Sequence, residues 1–143
     1  MKTVGDVIKK KGNHVWSVPP GTTVYDTLKL MAEKEVGAVL VLEEAHPIGI
    51  FSERDYARQV ILKGRTSKDT PVREVMSSRI VFVRPEQTIE DCMALMTDKH
   101  VRHLPVMHEG ALAGMLSIGD VVKAMISEKE FLIEQLANYI QQG

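Results

Sequence analysis

The residues best suited to chemistry in this chain form a Ser-x-x-Asp motif that occurs twice. Ser52 and Asp55 form the first copy, and Ser117 and Asp120 form the second. A carboxylate accepts hydrogen bonds through two oxygens, which suits the vicinal hydroxyls of a ribose. A helix N-terminus attracts phosphate, and a serine hydroxyl there adds a donor. The motif is therefore compatible with a ligand that carries a ribose and a phosphate.

The same motif is also a common helix cap, with the serine at the N-cap and the aspartate favouring the helix dipole. Two further features favour a ligand. Arg54 supplies a positive charge inside the first motif, and Gly49 and Gly114 stand three residues before the two serines, inside predicted strands. A glycine in a strand often marks the close approach of a ligand or of another backbone. The residues alone leave both interpretations open.

The two motifs lie at matching places in an internal repeat, because residues 15–62 align without gaps with residues 80–127. The identical pairs include Val18 with Val83, Pro20 with Pro85, Thr23 with Thr88, Asp26 with Asp91 and Val41 with Val106. A repeat of this kind sets the architecture. We therefore expect the motif to have the same role in both copies.

Each copy predicts the order strand, helix, strand, strand, helix. A strand over residues 15–18 or 80–83 leads into a proline turn, and Thr23 or Thr88 precedes the first helix as in a capping box. Two short apolar runs separated by turn residues then predict a hairpin. The runs are residues 38–42 with 48–51, and residues 104–107 with 112–116. The second helix begins at each motif.

The predicted fold class is α/β, of the α+β kind, with two pseudo-symmetric repeats packed as one module and an extra C-terminal helix. Neither copy alone covers both faces of its small sheet, so we expect the pair to fold together. The predicted boundaries are 4–63 for the first domain, 64–71 for the linker, 72–127 for the second domain and 128–143 for the helical extension. Additional short helices are predicted at Val4–Ile8 and Val72–Met76.

Composition argues for a soluble protein and against several classes of partner. The chain has 143 residues, of which 44% are hydrophobic and 26% charged, and its net charge is -1. Such a balance gives no reason to expect a nucleic-acid or membrane-surface partner. One cysteine, Cys92, excludes an internal disulfide and fits a reducing compartment. With no signal-peptide pattern at the N-terminus, the expected location is the cytoplasm.

No catalytic or metal motif is present. His100, His103 and His108 have no cysteine or carboxylate set that would complete a tetrahedral shell, so no metal is predicted. There is no P-loop, Gly-x-Gly-x-x-Gly or Ser-His-Asp order. We therefore expect a protein that is not an enzyme.

The two copies differ around the motif. Arg54 faces Gly119 in the alignment, and Arg102 with His103 face Gly37 with an alanine. Arg102 and His103 are either exposed polar residues at a turn or groups that reach a phosphate. These differences predict two unequal sites.

In combination, these features resemble a tandem pair of CBS (cystathionine β-synthase) domains, which is called a Bateman module. The resemblance covers nearly the whole chain. It rests on the duplicated unit, on the two Gly-x-x-Ser-x-x-Asp stretches, on Pro-x-x-Thr-(Val/Ile)-x-Asp and on Val-Arg-His-Leu-Pro-Val. It implies two clefts between the copies, each able to bind an adenosine-containing ligand such as AMP, ADP, ATP or NAD.

The resemblance also implies roles for single residues. Asp55 with Ser52, and Asp120 with Ser117, would hold the ribose. The strand start of the opposite copy would complete each cleft, and His103 stands where some relatives contact phosphate. The residues implied are Val101, Arg102 and Pro85 for the Asp55 cleft, and Val36, Gly37 and Pro20 for the Asp120 cleft.

The expected function is a non-catalytic energy- or redox-sensing module that signals nucleotide occupancy to an unknown regulated protein. The resemblance further implies a homodimer. Because Arg54 and Arg102 lie within reach of Asp55 on this interpretation, the Asp55 cleft is expected to be the stronger one. The alternative is an interaction or scaffolding protein whose motifs are only helix caps.

Overall fold

The structure, a computed structural model, describes residues 2–142 and divides into two compact units. One unit is Val15–Ile80. The other combines the residues up to His14 with those from Val81 onward. Each unit has its own hydrophobic core. The first core is built around Phe51, and the second around Leu104 and Leu116, all of which are fully buried.

The elements follow the repeat along the chain. In order they are α1 (Val4–Lys11), β1 (Ser17–Val18), α2 (Val24–Lys34), β2 (Ala38–Glu43), β3 (His46–Ser52), α3 (Glu53–Asp55), α4 (Ile89–Lys99), β4 (His103–His108), β5 (Ala111–Ser117) and α5 (Ile118–Gln142). A π-helical turn, Tyr56–Ile61, follows α3, and a 3₁₀ turn covers Val72–Glu74. The mixed helix and strand content confirms the predicted fold class.

Both predicted hairpins are present, and each is slightly longer than its apolar run. The strands β2 and β3 pair antiparallel, as do β4 and β5. Glu44 and Ala45 join the first pair with φ angles of 50° and 66°, while Glu109 and Gly110 join the second with 51° and 80°. Two successive positive φ angles are typical of the type I′ turn, whose twist matches that of the strands. The strand β1 adds a parallel neighbour to β2.

The first helix of each copy starts at the predicted threonine. Thr23 Oγ1 accepts a hydrogen bond from the Asp26 amide at 3.1 Å, and Thr88 Oγ1 accepts one from the Asp91 amide at 3.1 Å. In α4 the Asp91 carboxylate also accepts the Thr88 amide at 3.0 Å, which completes a capping box. These caps fix where each helix leaves the preceding proline turn.

Predicted elements differ from the structure in three places. The short helix predicted at Val72–Met76 is a 3₁₀ turn that covers only Val72–Glu74. Residues 80–83 form no strand, since only Val83 makes an isolated parallel bridge, to Val106. The second helix of the second copy and the C-terminal extension are one continuous helix, α5, because neither proline nor glycine interrupts the chain after Gly119 within it. No helix within residues 2–142 is long and apolar enough to cross a membrane.

The short N-terminal segment of each copy packs in the unit that holds the other copy. The Val4 amide donates to the Gln87 carbonyl at 2.8 Å, which ties α1 to the second copy. The Val72 amide donates to the Thr22 carbonyl at 2.7 Å, which ties the 3₁₀ turn to the first copy. The units are therefore not contiguous in sequence. The predicted boundaries at 63, 71 and 127, and the packing of the copies as one module, stay predictions.

The strand glycines make room for these exchanged segments. A side-chain carbon built at Gly49 would overlap Met76 Sδ, and one built at Gly114 would lie 2.6 Å from Ile8 Cδ1. The expectation that these glycines mark a ligand or a backbone is therefore wrong. The neighbour is an apolar side chain of the same unit.

We predict that Gly49→Ala lowers the free energy of unfolding by about 1–3 kcal/mol, the usual cost of overpacking a filled core. Gly21→Ala is the control, because its new methyl group would lie 3.8 Å from the closest atom, Arg73 Nη1, at an exposed position. Urea unfolding should show a change within about 0.5 kcal/mol for the control. A Gly49→Ala variant as stable as the parent protein would contradict this account of the packing.

Candidate functional site

The first motif forms a compact hydrogen-bonded cap where β3 passes into α3. Asp55 Oδ2 accepts the Ser52 amide at 2.9 Å and the Ser52 hydroxyl at 3.0 Å. In return, the Asp55 amide donates to Ser52 Oγ at 3.2 Å. The side chains of both residues are half-buried. The strand end and the helix start are thereby locked into one geometry.

The second motif repeats this cap at the junction of β5 and α5. Asp120 Oδ2 accepts the Ser117 amide at 2.8 Å and the Ser117 hydroxyl at 3.0 Å, while the Asp120 amide donates to Ser117 Oγ at 3.2 Å. Corresponding bonds in the two caps differ by no more than 0.1 Å. The duplication of the motif in sequence is thus a duplication of geometry.

The caps use only one of the two carboxylate oxygens of Asp55 and of Asp120. Each bond recorded for Asp55 and Asp120 within residues 2–142 goes to Oδ2, and none goes to Oδ1. An ionised carboxylate offers about four acceptor positions over its two oxygens. The Oδ1 atom of each motif can therefore accept a pair of ligand hydroxyls while the cap stays intact. Capping and ligand binding are compatible at the same residue.

The backbone amides at these helix starts offer less to a phosphate than the motif predicted. The Glu53 amide donates to the Gly37 carbonyl at 3.1 Å, and the Ile118 amide donates to the Arg102 carbonyl at 2.8 Å. The amides of Asp55 and Asp120 are taken by the serine hydroxyls. The first and third amides of each helix are therefore not available to a phosphate. A phosphate would need side-chain cations instead.

Each strand start lies beside the motif of its own copy. Gly37 is tied to the first motif by the amide of Glu53, and Ala38 pairs with Ser52 across the β2–β3 ladder. In the second copy, Arg102 is tied to the start of α5 in the same way, and His103 pairs with Ser117. The structure thus brings Gly37 to the Asp55 motif, and Arg102 and His103 to the Asp120 motif.

The remaining predicted site residues lie at the ends of the first helices. Val36 and Val101 are half-buried just after α2 and α4, where their amides donate to the carbonyls of Met31 and Met96. Pro20 and Pro85 lie in the turns before those helices and accept the amides of Arg73 and Gly5. Whether these residues complete the cleft of the opposite copy depends on both units together, and it stays a prediction.

The two carboxylates have pKa values shifted in opposite directions from the ordinary value of 3.8. For Asp55, burial raises the pKa and outweighs the bonds from Ser52 and the charges of Arg54 and Arg58. For Asp120, burial also raises the pKa, but the ammonium of Lys11 and the bonds from Ser117 together lower it further than burial raises it. The electrostatic difference between the motifs therefore has one main source, which is Lys11.

Lys11 is the site residue that the sequence prediction missed. It is the last residue of α1, and its Nζ lies 2.5 Å from Asp120 Oδ2. The signal was present in the sequence, because Val4–Lys11 aligns with residues 72–79 and places Lys11 opposite Arg79. The order of the chain assigns α1 to the first copy, and this assignment places Lys11 away from Asp120.

His103 is a neutral group in this environment. Burial lowers its pKa from the ordinary value of 6.5, and the charges of Lys11 and Arg102 lower it further, while Asp120 acts in the opposite direction. At pH 7 its ring therefore acts as a neutral donor and acceptor. Lys11 and Arg102, an exposed residue, are the cations beside the second motif.

A pocket of about 300 Å³ opens beside the first motif, but its chemistry does not suit a nucleotide. It is lined by Leu28, Met31, Ala32, Glu35, Val36, Gly37 and Glu53. Two carboxylates, from Glu35 and Glu53, would repel a phosphate there, and Asp55 is not part of the lining. The ligand interpretation of the Asp55 motif therefore does not rest on this pocket.

Other reactive side chains are accounted for by the fold. Cys92 is buried in the core, and burial with the charges of Asp91 and Glu90 raises its pKa to about 11, so it is a thiol at neutral pH. His100 ends α4 in a left-handed conformation. Within residues 2–142, no cluster of histidine, cysteine, aspartate and glutamate is arranged to hold a metal ion.

We predict that Asp55 and Asp120 titrate on opposite sides of 3.8 in the unliganded protein. Burial should raise the pKa of Asp55, and the Lys11 ammonium should hold that of Asp120 down. Carbon-13 NMR of the side-chain carboxyl groups measures both values, with Asp55→Asn and Asp120→Asn to assign the signals. Equal pKa values, or an order with Asp120 above Asp55, would contradict the charge distribution described here.

Comparisons with known proteins agree with the duplicated fold. The CBS domain family matches residues 4–61 and 72–127. The chain is 40% identical to the CBS domain-containing protein CBSX3, mitochondrial, of Arabidopsis thaliana, over 99% of this chain and 73% of that protein. It is 33% identical to the CBS domain-containing protein YhcV of Bacillus subtilis, over 80% of this chain and 81% of that protein.

Solved structures show the same similarity. A putative signal-transduction protein with CBS domains from Burkholderia ambifaria is 46% identical and superposes with a TM-score of 0.85, over 88% of this chain and 95% of that one. A hexameric CBS-CP12 protein from bloom-forming cyanobacteria is 28% identical with a TM-score of 0.76, over 85% of this chain and 70% of that one. Such pairs point to a regulatory or binding module that performs no catalysis. With two matched domains that each carry the capped Ser-x-x-Asp motif, the chain belongs to the CBS domain family as a tandem CBS-domain protein.

Proposed function

We propose that this protein binds an adenosine-containing nucleotide, AMP, ADP, ATP or NAD, and signals energy or redox state to a partner protein. The proposal rests on one observation. Each motif aspartate caps its helix through Oδ2 and keeps Oδ1 clear of recorded bonds within residues 2–142. A half-buried, pre-oriented carboxylate of this kind suits two vicinal hydroxyl donors.

The Asp55 site is the stronger of the two on this proposal. Among the described residues, no lysine ammonium contacts its carboxylate in the way that Lys11 contacts Asp120 Oδ2. Arg54 and Arg58 lie close enough to Asp55 to lower its pKa, so their positive charges are also close enough to attract an anionic ligand. The ribose acceptor and the phosphate-attracting charges are thus provided by neighbouring residues of one helix start.

Phosphate contacts at either site would come from side-chain cations. The backbone amides of Glu53 and Asp55 are already bonded within the protein. On the proposal, Arg54 serves the Asp55 site, and Arg102 is the residue that the opposite copy would add to it. Val101, Pro85, Val36, Gly37 and Pro20 would form the walls of the two clefts. His103 would contribute a neutral donor, as its lowered pKa supports.

We predict that Asp55→Ala weakens AMP binding at least about tenfold, because two hydrogen bonds to a charged acceptor are lost. Isothermal titration calorimetry measures the change. The matched control is Asp91→Ala, which removes the same kind of capping carboxylate from α4 but lies outside the proposed site. Its AMP affinity should stay within about twofold of the parent protein, a change well below the cost of one lost hydrogen bond. Circular dichroism shows whether both variants keep the fold.

Two results would count against this assignment. An Asp55→Ala variant that binds AMP as tightly as the Asp91→Ala control would remove Asp55 from the site. A parent protein that shows no heat of binding with AMP, ADP, ATP or NAD would remove nucleotide binding altogether. The second result would favour an interaction module whose motifs act only as caps.

The alternative is an interaction module whose motifs act only as caps, and the C-terminal half of α5 is what favours it. Leu132, Leu136 and Ile140 lie along one side of this helix and are 60%, 55% and 74% exposed. Exposed apolar side chains at helical spacing are typical of a surface that meets another helix or protein. A regulated partner protein would bind there under either hypothesis.

The predicted homodimer belongs to the same proposal. The exposed side of α5 supports self-association, and the CBS-CP12 neighbour is a hexamer by its description. A cytoplasmic location also stays a prediction, and the Arabidopsis relative is described as mitochondrial. No nucleic-acid partner is proposed, because the net charge is only -1.

A further inference from the structure

One cation distinguishes the two motifs. Lys11 Nζ donates to Asp120 Oδ2 at 2.5 Å and to the Met115 carbonyl at 2.8 Å. The residue that aligns with Lys11 beside the first motif is Arg79. Within residues 2–142, no ion pair joins Arg79 to Asp55. The copies therefore share a cap but differ in what else contacts it.

The difference follows from how far each short N-terminal segment stays helical. After the 3₁₀ turn the chain becomes extended, and Ser77 exchanges two backbone hydrogen bonds of 2.9 Å with Ile50 of β3. In α1 the lysine run keeps the helix going to Lys11, since lysines are good helix formers and suit a helix C-terminus. Met115 aligns with Ile50. The carbonyl that a backbone amide satisfies in one copy is satisfied by an ammonium group in the other.

We propose that Lys11 is a built-in antagonist of the second site, because its ammonium group on Asp120 Oδ2 makes the carboxylate a weaker acceptor for the hydroxyls of a ribose at Oδ1. This inference rests on the proposed function. It goes beyond that function by assigning a regulatory residue outside the repeated motif. Within residues 2–142 no lysine forms such an ion pair with Asp55, so the Asp55 site fills first.

The size of the effect follows from the exposure of the pair. The side chains of Lys11 and Asp120 are 38% and 24% exposed, so water partly screens their attraction. The ion pair draws electron density from the carboxylate, and Lys11 also occupies space beside it. The ion pair should weaken ligand binding about three- to tenfold, between the small effect of an exposed ion pair and the larger one of a buried bond to a charged group.

Displacement of Lys11 would also free the end of α1. Lys11 is the last residue of that helix, and its two bonds are the ones recorded between the end of α1 and the β5–α5 junction. The start of α1 keeps separate anchors, because the amides of Val4 and Gly5 donate to the carbonyls of Gln87 and Pro85. A ligand that displaces Lys11 would thus loosen one end of α1 and leave the other end in place.

The test uses Lys11→Met in the full chain. It is combined with Asp55→Ala so that calorimetry measures binding at the Asp120 site alone. We expect this double variant to bind both adenosine and AMP about three- to tenfold more tightly than Asp55→Ala alone, by calorimetry. Adenosine isolates the effect on ribose binding, since it has no phosphate to which Lys11 could move. Lys10→Met is the control, because it removes the same charge from an exposed neighbour on the same helix.

A second arm needs no ligand. In the Lys11→Met variant, loss of the ammonium should raise the pKa of Asp120, as carbon-13 NMR would show, while Lys10→Met should leave it in place. An unchanged pKa of Asp120 would show that the ion pair does not form in solution, and the inference would be wrong.

Weaker AMP binding by the double variant would also overturn the inference, since Lys11 would then be a phosphate ligand. Unchanged affinity for both ligands would overturn it as well. In either of these cases the parent protein still binds AMP, and the proposed function stands. Absence of AMP binding to the parent protein would instead remove the proposed function, together with the inference that rests on it.

Discussion

The serine-to-aspartate cap at the end of each hairpin fixes the geometry on which the rest of the site depends. The Ser52 amide and hydroxyl both donate to one oxygen of Asp55, and the Asp55 amide returns a bond to the hydroxyl. These three bonds join the last residue of a strand to the first turn of a helix. They set the position of a half-buried carboxylate without any ligand. A pre-positioned carboxylate loses little conformational entropy when it accepts a ligand, which is the physical basis for its proposed role.

The cap also decides which of the helix-start interactions remain for a ligand. In both copies the first amide of the helix donates to the carbonyl of the residue just before the first hairpin strand, which is Gly37 or Arg102. The third amide donates to the serine hydroxyl. A helix start that is satisfied in this way presents carboxylate acceptors more than amide donors. The motif is thus better suited to ribose hydroxyls than to phosphate, and anionic groups depend on side-chain cations such as Arg54, Arg102 and Lys11.

Much of the fold was predictable because many of its features depend only on residues that are close together in the sequence. The hairpins, the threonine caps of α2 and α4 and the serine caps depend on neighbouring residues, and the structure confirms each of them. The exchange of α1 and the 3₁₀ turn between the units was not predictable from periodicity, because it depends on tertiary contacts such as Ile8 with Gly114. The role of Lys11 was missed for the same reason. A residue that lies far from its partner in sequence leaves no local signal, and only the alignment with Arg79 pointed to it.

The central claim is that the motif carboxylate holds a ribose while its other oxygen caps the helix. A crystal structure of the protein with AMP tests this most directly. We expect ribose hydroxyl oxygens within hydrogen-bonding distance of Asp55 Oδ1, about 2.5–3.0 Å, with the Ser52 bonds to Oδ2 unbroken. AMP bound with its ribose away from both motif carboxylates, or a cap that opens to admit it, would contradict the account.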